Sequence, residues 1–231
     1  MKTERLRRRK SPRGSGEQLR AEILAAATDL LLETGDESAV SIRAVSTRVG
    51  VSPPSIYIHF ADKDTLIGEV VAHYFTRLDE VMRLSGAQHE DSWQAAHAQG
   101  MAYVRFAVEN AELYRVATMK PCPEGTDMDA VLGDSAFVHF SETIERLMDD
   151  GLIDKGDPAP VVLELWTAAH GVAALMVAKP YLFVDDKYDL ADRVLTSVCL
   201  GRVTKDLIGG DVGPAAIRDF VVEQRAMRDA R

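Results

Sequence analysis

Apolar residues recur along this chain at intervals of three and four, the spacing that places side chains on one side of an α-helix. The same spacing in the segment ELYRVATM, residues 112–119, predicts a short helix. Longer helices are predicted over about residues 17–34, 63–84, 92–110, 126–150, 158–177, 190–208 and 215–227. Alternating apolar and polar positions, which would indicate half-buried strands, do not stand out anywhere. The pattern therefore predicts an all-α fold.

Residues 41–60 predict two short helices joined by a tight turn. Ser41 is a candidate N-cap for the first helix, because a serine oxygen can accept a hydrogen bond from the free N–H groups at a helix start. Gly50 follows at the position where a left-handed residue commonly ends a helix. The apolar residues between them share one helix face: Ile42, Val45 and Val49.

The second short helix opens on two consecutive prolines. Because a residue that precedes proline avoids the helical region, we expect Pro53 to be extended and the helix to start at Pro54. Ser52 would then cap a first turn in which the prolines offer no N–H group. Ile56 and Phe60 are expected to point inward, which leaves the neighbouring side chains outside: Ser55, Tyr57, Ile58 and His59.

This layout is that of a helix-turn-helix, whose second helix enters the DNA major groove, although an ordinary helical hairpin has the same helix–glycine–helix order. The flanking residues favour the first interpretation, because residues 18–71 resemble the DNA-binding domain of the tetracycline-repressor (TetR) family. The matching positions are Ile23, Leu24, Ala26, Ala27, Leu30, Leu31, Gly35, residues 41–45 (SIRAV), residues 50–52 (GVS), Ile56, Tyr57, His59, Phe60 and residues 62–67 (DKDTLI). The chain departs from the family pattern at Ser46, where alanine is usual, and at the paired prolines.

The resemblance implies which residues contact DNA. Phosphate or base contacts are expected from Ser41, Arg43, Tyr57, His59 and Lys63. The start of the second helix adds Ser52, Pro53, Pro54 and Ser55. Because this helix carries no Arg, Lys, Asn or Gln, it lacks the bidentate readers of guanine and adenine, and we expect modest base specificity from it.

Charge is distributed unevenly along the chain. The net charge is −9, but residues 1–20 hold eight Lys or Arg and two Glu, which leaves +6 there and −15 over the remainder. The local field beside the helix-turn-helix, rather than the net charge, governs attraction to phosphates. Residues 1–16 are expected to form a disordered arm, whose Arg7, Arg8 and Arg9 either enter the minor groove or raise affinity without reading sequence.

The chain beyond residue 84 resembles the C-terminal domain of the same family less specifically. The cues are residues 110–119 (NAELYRVATM) and the Trp–His–Gly pattern of residues 165–175 (LWTAAHGVAAL). The implied organisation is a DNA-binding domain over residues 17–66 and a ligand-binding, dimer-forming helical bundle over residues 67–231. The resemblance places the dimer interface on two helices, about residues 159–178 and 190–208.

Several large side chains of this C-terminal part could line an apolar ligand pocket between helices, where helical bundles place their ligands. Their simpler role is ordinary core packing. The candidates are Trp93, Met101, Phe137, Phe140, Trp166 and His170.

Other kinds of chemistry leave no signature in the sequence. It contains no nucleophile elbow, phosphate loop, HExxH motif or spaced Cys and His cluster, so we expect neither catalysis nor a metal or other cofactor. Cys122 and Cys199 have no redox or metal spacing, and reduced thiols in the cytoplasm are expected. The basic N-terminus lacks the apolar segment of a signal peptide, and the longest apolar stretch, around residues 168–178, is short for a membrane span.

Together these features predict a transcriptional regulator. One helix-turn-helix reads few bases, so a homodimer on a palindromic DNA operator is expected. The family resemblance implies a repressor that a small molecule releases from DNA. One alternative is a non-specific DNA-organising protein, suggested by the basic arm and the weak base readers. The other is an enzyme that carries a DNA-binding module, against which the missing catalytic set argues.

Overall fold

The structure, a computed structural model, describes residues 15–119, 135–182, 187–209 and 212–230. Over these ranges the chain is helical and contains no strand, which confirms the predicted all-α class. A helix start near residue 126 was also predicted, and it lies outside the described residues. The helices are α1 (Ser15–Thr34), a 3-10 helix (Glu37–Ala39), α2 (Ile42–Val49), α3 (Pro53–Tyr57), α4 (Lys63–Gly86), α5 (Ser92–Glu109), α6 (Ala111–Thr118), α7 (Ser135–Asp149), α8 (Ala159–Ala178), α9 (Lys187–Ile208) and α10 (Pro214–Asp229).

The chain divides into two compact units. Among the described residues, the first comprises residues 15–78 and 107–119, and the second comprises residues 79–106, 135–182, 187–209 and 212–230. The boundary predicted after residue 66 falls inside α4, and the first unit also takes in α6, which packs against α1. Helical spacing shows where a helix lies, but it does not show which core each part of a long helix joins.

The first unit is built around the side chains that α1, α2 and α3 turn towards one another. Ile23, Leu31, Val45, Ile56 and Phe60 are all buried to 1 % exposure or less. Removing each such side chain from water contributes roughly 1.5–3 kcal/mol. This core confirms that Ile56 and Phe60 face inward and holds the two short helices in a defined orientation.

The caps predicted for α2 are present. The Ala44 N–H donates to Ser41 Oγ at 3.1 Å, and Gly50 ends the helix with φ 77°, a conformation that L side chains rarely adopt. Ser46, the departure from the family pattern, is buried and donates its hydroxyl to the Arg43 carbonyl at 2.9 Å. Its polar group is therefore satisfied within the helix.

The start of α3 differs from the prediction by one residue. The helix begins at Pro53, so the expectation that Pro53 is extended is wrong. The first turn of a helix needs no N–H donors, so both prolines are accommodated there. Ser52 takes the extended backbone instead, with ψ 149°, and its side chain makes no cap hydrogen bond. Ser52 Oγ pairs with Ser55 Oγ at 2.9 Å.

The core of the second unit centres on α8, which packs against α7 and α9. Within the described residues, α8 is long and apolar enough to span a membrane by length and composition, with mean hydropathy 1.7 over 18 residues. Eight of its residues are buried inside this unit, as expected of the core helix of a helical bundle. They are Val161, Val162, Leu165, Ala169, Val172, Ala173, Met176 and Val177.

Candidate nucleic-acid interface and internal cavity

The outward face of α3 carries apolar side chains in solvent. Tyr57 is 53 % exposed, and Ile58, which follows the helix, is 80 % exposed. Pro53 and Pro54 are also exposed, whereas Ser55 is half-buried. Since the opposite face of α3 is buried in the core of the unit, this outward face is available to a partner.

Three further predicted DNA-contacting residues lie at or near the ends of helices in the same unit. Ser41 and Arg43, at the start of α2, are exposed, and Lys63 is the first residue of α4. The Lys63 ammonium donates to the carbonyl oxygen of Glu37 at 2.7 Å. This bond ties Lys63 to the 3-10 helix, which the sequence pattern did not indicate. His59 is half-buried.

Arg48 and Arg20 are held by carboxylates of the first unit. The Arg48 guanidinium donates to both carboxylate oxygens of Glu33, and these hydrogen bonds hold the pKa of Glu33 below its usual value. The Arg20 guanidinium pairs with Glu69 and lies 5.2 Å from the centre of the Phe60 ring. Arg20 therefore helps to join α1 to α4, although sequence analysis counted it only as charge beside the arm. The predicted arm residues Arg7, Arg8 and Arg9 lie outside the described residues.

The second unit encloses an apolar cavity between its helices. Its volume is about 20 Å³, which is room for about one water molecule. The walls come from α4, α5, α7, α8 and α9. They are formed by Met82, Ala96, His97, Gly100, Tyr103, Phe137, Phe140, Leu165, Trp166, Ala168, Ala169, Leu195, Val198 and Cys199.

A chain of hydrogen bonds runs along one wall of this cavity. Trp166 Nε1 donates to the Tyr103 hydroxyl at 3.2 Å, and this hydroxyl lies 3.1 Å from His170 Nδ1. Burial lowers the pKa of His170, so the neutral ring is favoured. The Tyr103 hydroxyl can donate a hydrogen bond to a neutral His170 ring and accept one from Trp166, so the three polar groups can satisfy one another.

The predicted pocket residues are only partly brought together. Phe137, Phe140 and Trp166 line the cavity, and His170 reaches its wall through Tyr103. Met101 is not among the lining residues, and Trp93 lines two neighbouring pockets instead. Sequence analysis missed Tyr103 and His97, because contacts between residues more than sixty positions apart leave no periodic signal.

Cys199 lies in the cavity wall as a protonated thiol. Burial raises its pKa to about 11, which makes it a poor nucleophile and metal ligand at neutral pH. The described ranges contain no group of three or more His, Cys, Asp or Glu residues that could hold a metal ion.

Two family models match this chain. Residues 23–70 match the model described as bacterial regulatory proteins, tetR family, and residues 96–198 match the one described as tetracyclin repressor-like, C-terminal domain. The first segment contains the helix-turn-helix, and the second contributes most of the cavity wall.

Sequence relatives are also transcriptional regulators by name. Over 75 residues, 32 % of its length, the chain is 43 % identical to the HTH-type transcriptional repressor Rv3405c of Mycobacterium tuberculosis. The chain spans only 39 % of the length of that protein. An uncharacterized HTH-type transcriptional regulator of Bacillus subtilis, YobS, is 29 % identical over 176 residues, which cover 74 % of this chain and 83 % of YobS.

Solved structures share the fold at low sequence identity. A protein of unknown function from Rhodococcus sp. RHA1 has a TM-score of 0.68 and 22 % identity, covering 87 % of this chain and 100 % of that one. A TetR family transcription regulator from Marinobacter aquaeolei VT8 has a TM-score of 0.60 and 18 % identity. The match covers 81 % of this chain and 98 % of that one.

Proposed function

Because this chain belongs to the TetR family of DNA-binding transcriptional regulators, we propose that it represses transcription as a homodimer bound to a palindromic operator and is released by a small molecule. The observation that carries the DNA-binding part is the two-sided character of α3. Ile56 is fully buried on one side, while Tyr57 and Ile58 stand in solvent on the other. A regulator of this kind works on DNA in the cytoplasm, where we place the protein.

The physical argument for a dimer is that one helix-turn-helix reads few bases. Here α3 offers no bidentate base reader, so a single copy would discriminate weakly between sequences. Two copies related by a two-fold axis double the number of bases that are read and impose a spacing between half-sites. Repression is supported by the name of Rv3405c, which is a repressor.

The ligand response is supported by the cavity in the second unit. An apolar cavity among packed helices is where a small molecule can favour one arrangement of those helices over another. The ligand changes operator affinity only if it binds one arrangement more tightly than the other.

Selection of bound sequences from random DNA tests the operator prediction. We expect an inverted repeat whose two halves are read by two α3 helices, with a weak consensus within each half. The Tyr57→Ala variant should enrich the same repeat but retain less DNA at the same protein concentration. A single, non-repeated motif would contradict the two-fold arrangement.

The same experiment distinguishes the proposed repressor from a non-specific DNA-organising protein, the alternative that the basic arm and the weak base readers suggest. That protein would retain DNA at low salt, release it as salt rises and enrich no motif.

A further inference from the structure

The cavity in the second unit has a definite chemical character. Most of its walls are aliphatic or aromatic, and none of the residues that form them is Lys, Arg, Asp or Glu. The thiol of Cys199 and the ring of His170 behind the wall are held neutral by burial. A charged ligand group would therefore lose its water without meeting an opposite charge in the wall.

One cationic group lines a neighbouring pocket and is already paired with carboxylates. Arg202 lines a second pocket, which shares Cys199 with the cavity. Its guanidinium lies 3.0 Å from Asp206 and 3.4 Å from Glu164. Arg202 is thus not available to a carboxylate in the cavity unless it gives up these partners.

One polar atom of the wall retains hydrogen-bonding capacity. Tyr103, Trp166 and His170 bond to one another, whereas His97 Nε2 is buried and makes no aligned hydrogen bond with any described residue. This atom lies 3.0 Å from a carboxylate oxygen of Asp192, which favours the tautomer that carries hydrogen on Nε2. A buried polar group without an aligned partner is costly, and a ligand acceptor would relieve that cost.

His97 lies between the cavity and a neighbouring groove. An open groove of about 260 Å³ is lined mainly by α5 and α9, and His97 lines both this groove and the cavity. The rest of the groove is formed by His89, Trp93, Gln94, Ala98, Asp192 and Thr196. The His97 side chain is therefore shared by the two spaces and is the residue past which a ligand could enter.

We propose that this cavity takes an uncharged, largely apolar ligand that enters past His97, between α5 and α9, and bonds to the His97 imidazole through a single acceptor group. The proposal rests on the proposed ligand response. It narrows the ligand to neutral molecules and excludes acids, amines and phosphorylated compounds. Because the cavity has a volume of only about 20 Å³, the ligand must also displace apolar side chains of the wall, such as Leu195 and Phe140.

Equilibrium dialysis of the full chain without DNA, at pH 7.5, tests the ligand class. The probes are 2-naphthol, naphthalene, 2-naphthoate and 2-naphthylmethylammonium, which share one ring system. We expect 2-naphthol to bind tightest and both charged probes to bind more than about 100-fold more weakly. Equal or tighter binding of a charged probe, or no saturable binding of any probe, overturns the proposal.

A pair of histidine variants tests the role of His97. In His97→Ala the preference for 2-naphthol over naphthalene should fall about three- to tenfold, because one hydrogen bond is lost. His89→Ala is the matched control, since His89 lines only the groove, and it should leave this preference unchanged. Because both probes enter the same cavity, the ratio of their affinities is not affected by a general change in access to the cavity. An unchanged ratio in His97→Ala overturns the role of His97.

A pair of glycine variants tests the location. A Cβ added at Gly100 would lie 3.1 Å from Leu195 Cδ1 in the wall, whereas one added at Gly171 of α8 meets nothing within 4 Å. Gly100→Ala should weaken the binding of both 2-naphthol and naphthalene, and Gly171→Ala should leave the binding of both unchanged. Unchanged binding in Gly100→Ala places the probes elsewhere and overturns the site.

These measurements are independent of the proposed function. If the expected ratios are found and none of the probes releases operator DNA, the ligand class stands and the ligand response is contradicted. If a charged compound releases the operator and competes with 2-naphthol, the proposed ligand response is supported and the proposed ligand class is wrong.

Discussion

At the scale of single residues, Tyr57 is placed to contact DNA without supporting the fold. It is 53 % exposed on α3, beside the buried Ile56. We predict that Tyr57→Ala weakens binding to all DNA sequences by a similar factor, about three- to tenfold, and leaves the melting temperature unchanged. Fluorescence anisotropy with the selected operator and a scrambled duplex measures both affinities. Tyr57→Phe, which removes only the hydroxyl, separates a hydrogen bond from a ring contact.

Lys63 should differ from Tyr57 because it carries a charge. We predict that Lys63→Ala lowers the slope of log affinity against log salt by about one unit, whereas Tyr57→Ala leaves this slope unchanged. Lys63 also donates to the Glu37 carbonyl, so its loss should lower the melting temperature slightly. Anisotropy titrations at four salt concentrations provide the slopes. Equal slopes for wild type and Lys63→Ala would show that the ammonium is not at a phosphate.

His170 should make the stability of the second unit depend on pH. Burial lowers its pKa in the folded state, so the unfolded chain binds the proton first as the pH falls below about 6.5. Folding is therefore favoured above that pH and loses stability below it. We predict that His170→Gln reduces the loss of unfolding free energy between pH 7.5 and 5.5, as measured by urea denaturation.

At the scale of elements, one polar pair joins α7 to α4 inside the second unit. Asp79 is buried, and its two carboxylate oxygens lie 3.0 and 2.9 Å from His139 Nδ1. Helix α7 also carries Phe137 and Phe140 into the cavity wall, so the pair holds this wall in position. The pair therefore opposes sliding of α7 along α4.

We predict that His139→Ala lowers the unfolding free energy by about 1–3 kcal/mol, because the buried Asp79 loses this partner. The double variant Asp79→Ala/His139→Ala should cost less than the sum of the single variants. Urea denaturation of the three variants and the wild type completes the cycle. Additive costs would show that the two groups do not interact.

At the scale of the whole molecule, two leucine variants distinguish loss of the predicted homodimer from unfolding of the subunit. Leu195 of α9 is 5 % exposed and lines the cavity, whereas Leu200 of the same helix is 52 % exposed. We predict that Leu195→Glu unfolds the second unit, because a carboxylate is forced into an apolar core. Leu200→Glu should leave the subunit folded and break the dimer.

Sedimentation and circular dichroism distinguish these outcomes. The wild type should sediment as a dimer at micromolar concentration, and Leu200→Glu should sediment as a helical monomer with much weaker operator binding. A wild-type monomer at this concentration contradicts the two-fold arrangement before any variant is made.

The basic arm is the second feature that belongs to the whole molecule. Residues 1–14 contain seven Lys or Arg and precede α1. We predict that replacing Arg7, Arg8 and Arg9 by Gln lowers the salt slope by up to about three units and leaves the melting temperature unchanged. If the arm reads the minor groove, the loss should be larger on the selected operator than on a scrambled duplex. Equal losses on both would assign it a purely electrostatic role.

The sequence by itself determined the all-α class and the details of the helix-turn-helix. The N-cap at Ser41, the left-handed Gly50 and the inward Ile56 and Phe60 all follow from interactions within one or two helical turns. Such interactions depend on residue types a few positions apart, so the sequence predicts them before any fold is known. The prediction for Pro53 was wrong because two effects of proline oppose each other there. A residue that precedes proline avoids the helical region, but the first turn of a helix accommodates prolines because it needs no N–H donors.

Only the tertiary structure decided which distant residues meet. It paired Lys63 with Glu37 and Arg48 with Glu33, and it brought Tyr103 to Trp166 and His170 across more than sixty residues. It also divided α4 between two cores. The physical reason is that helices pack in many alternative ways at similar cost, and the choice depends on the summed shape of all buried side chains. No short stretch of sequence contains that sum, so the cavity and the place of His97 in its wall emerge only from the folded chain.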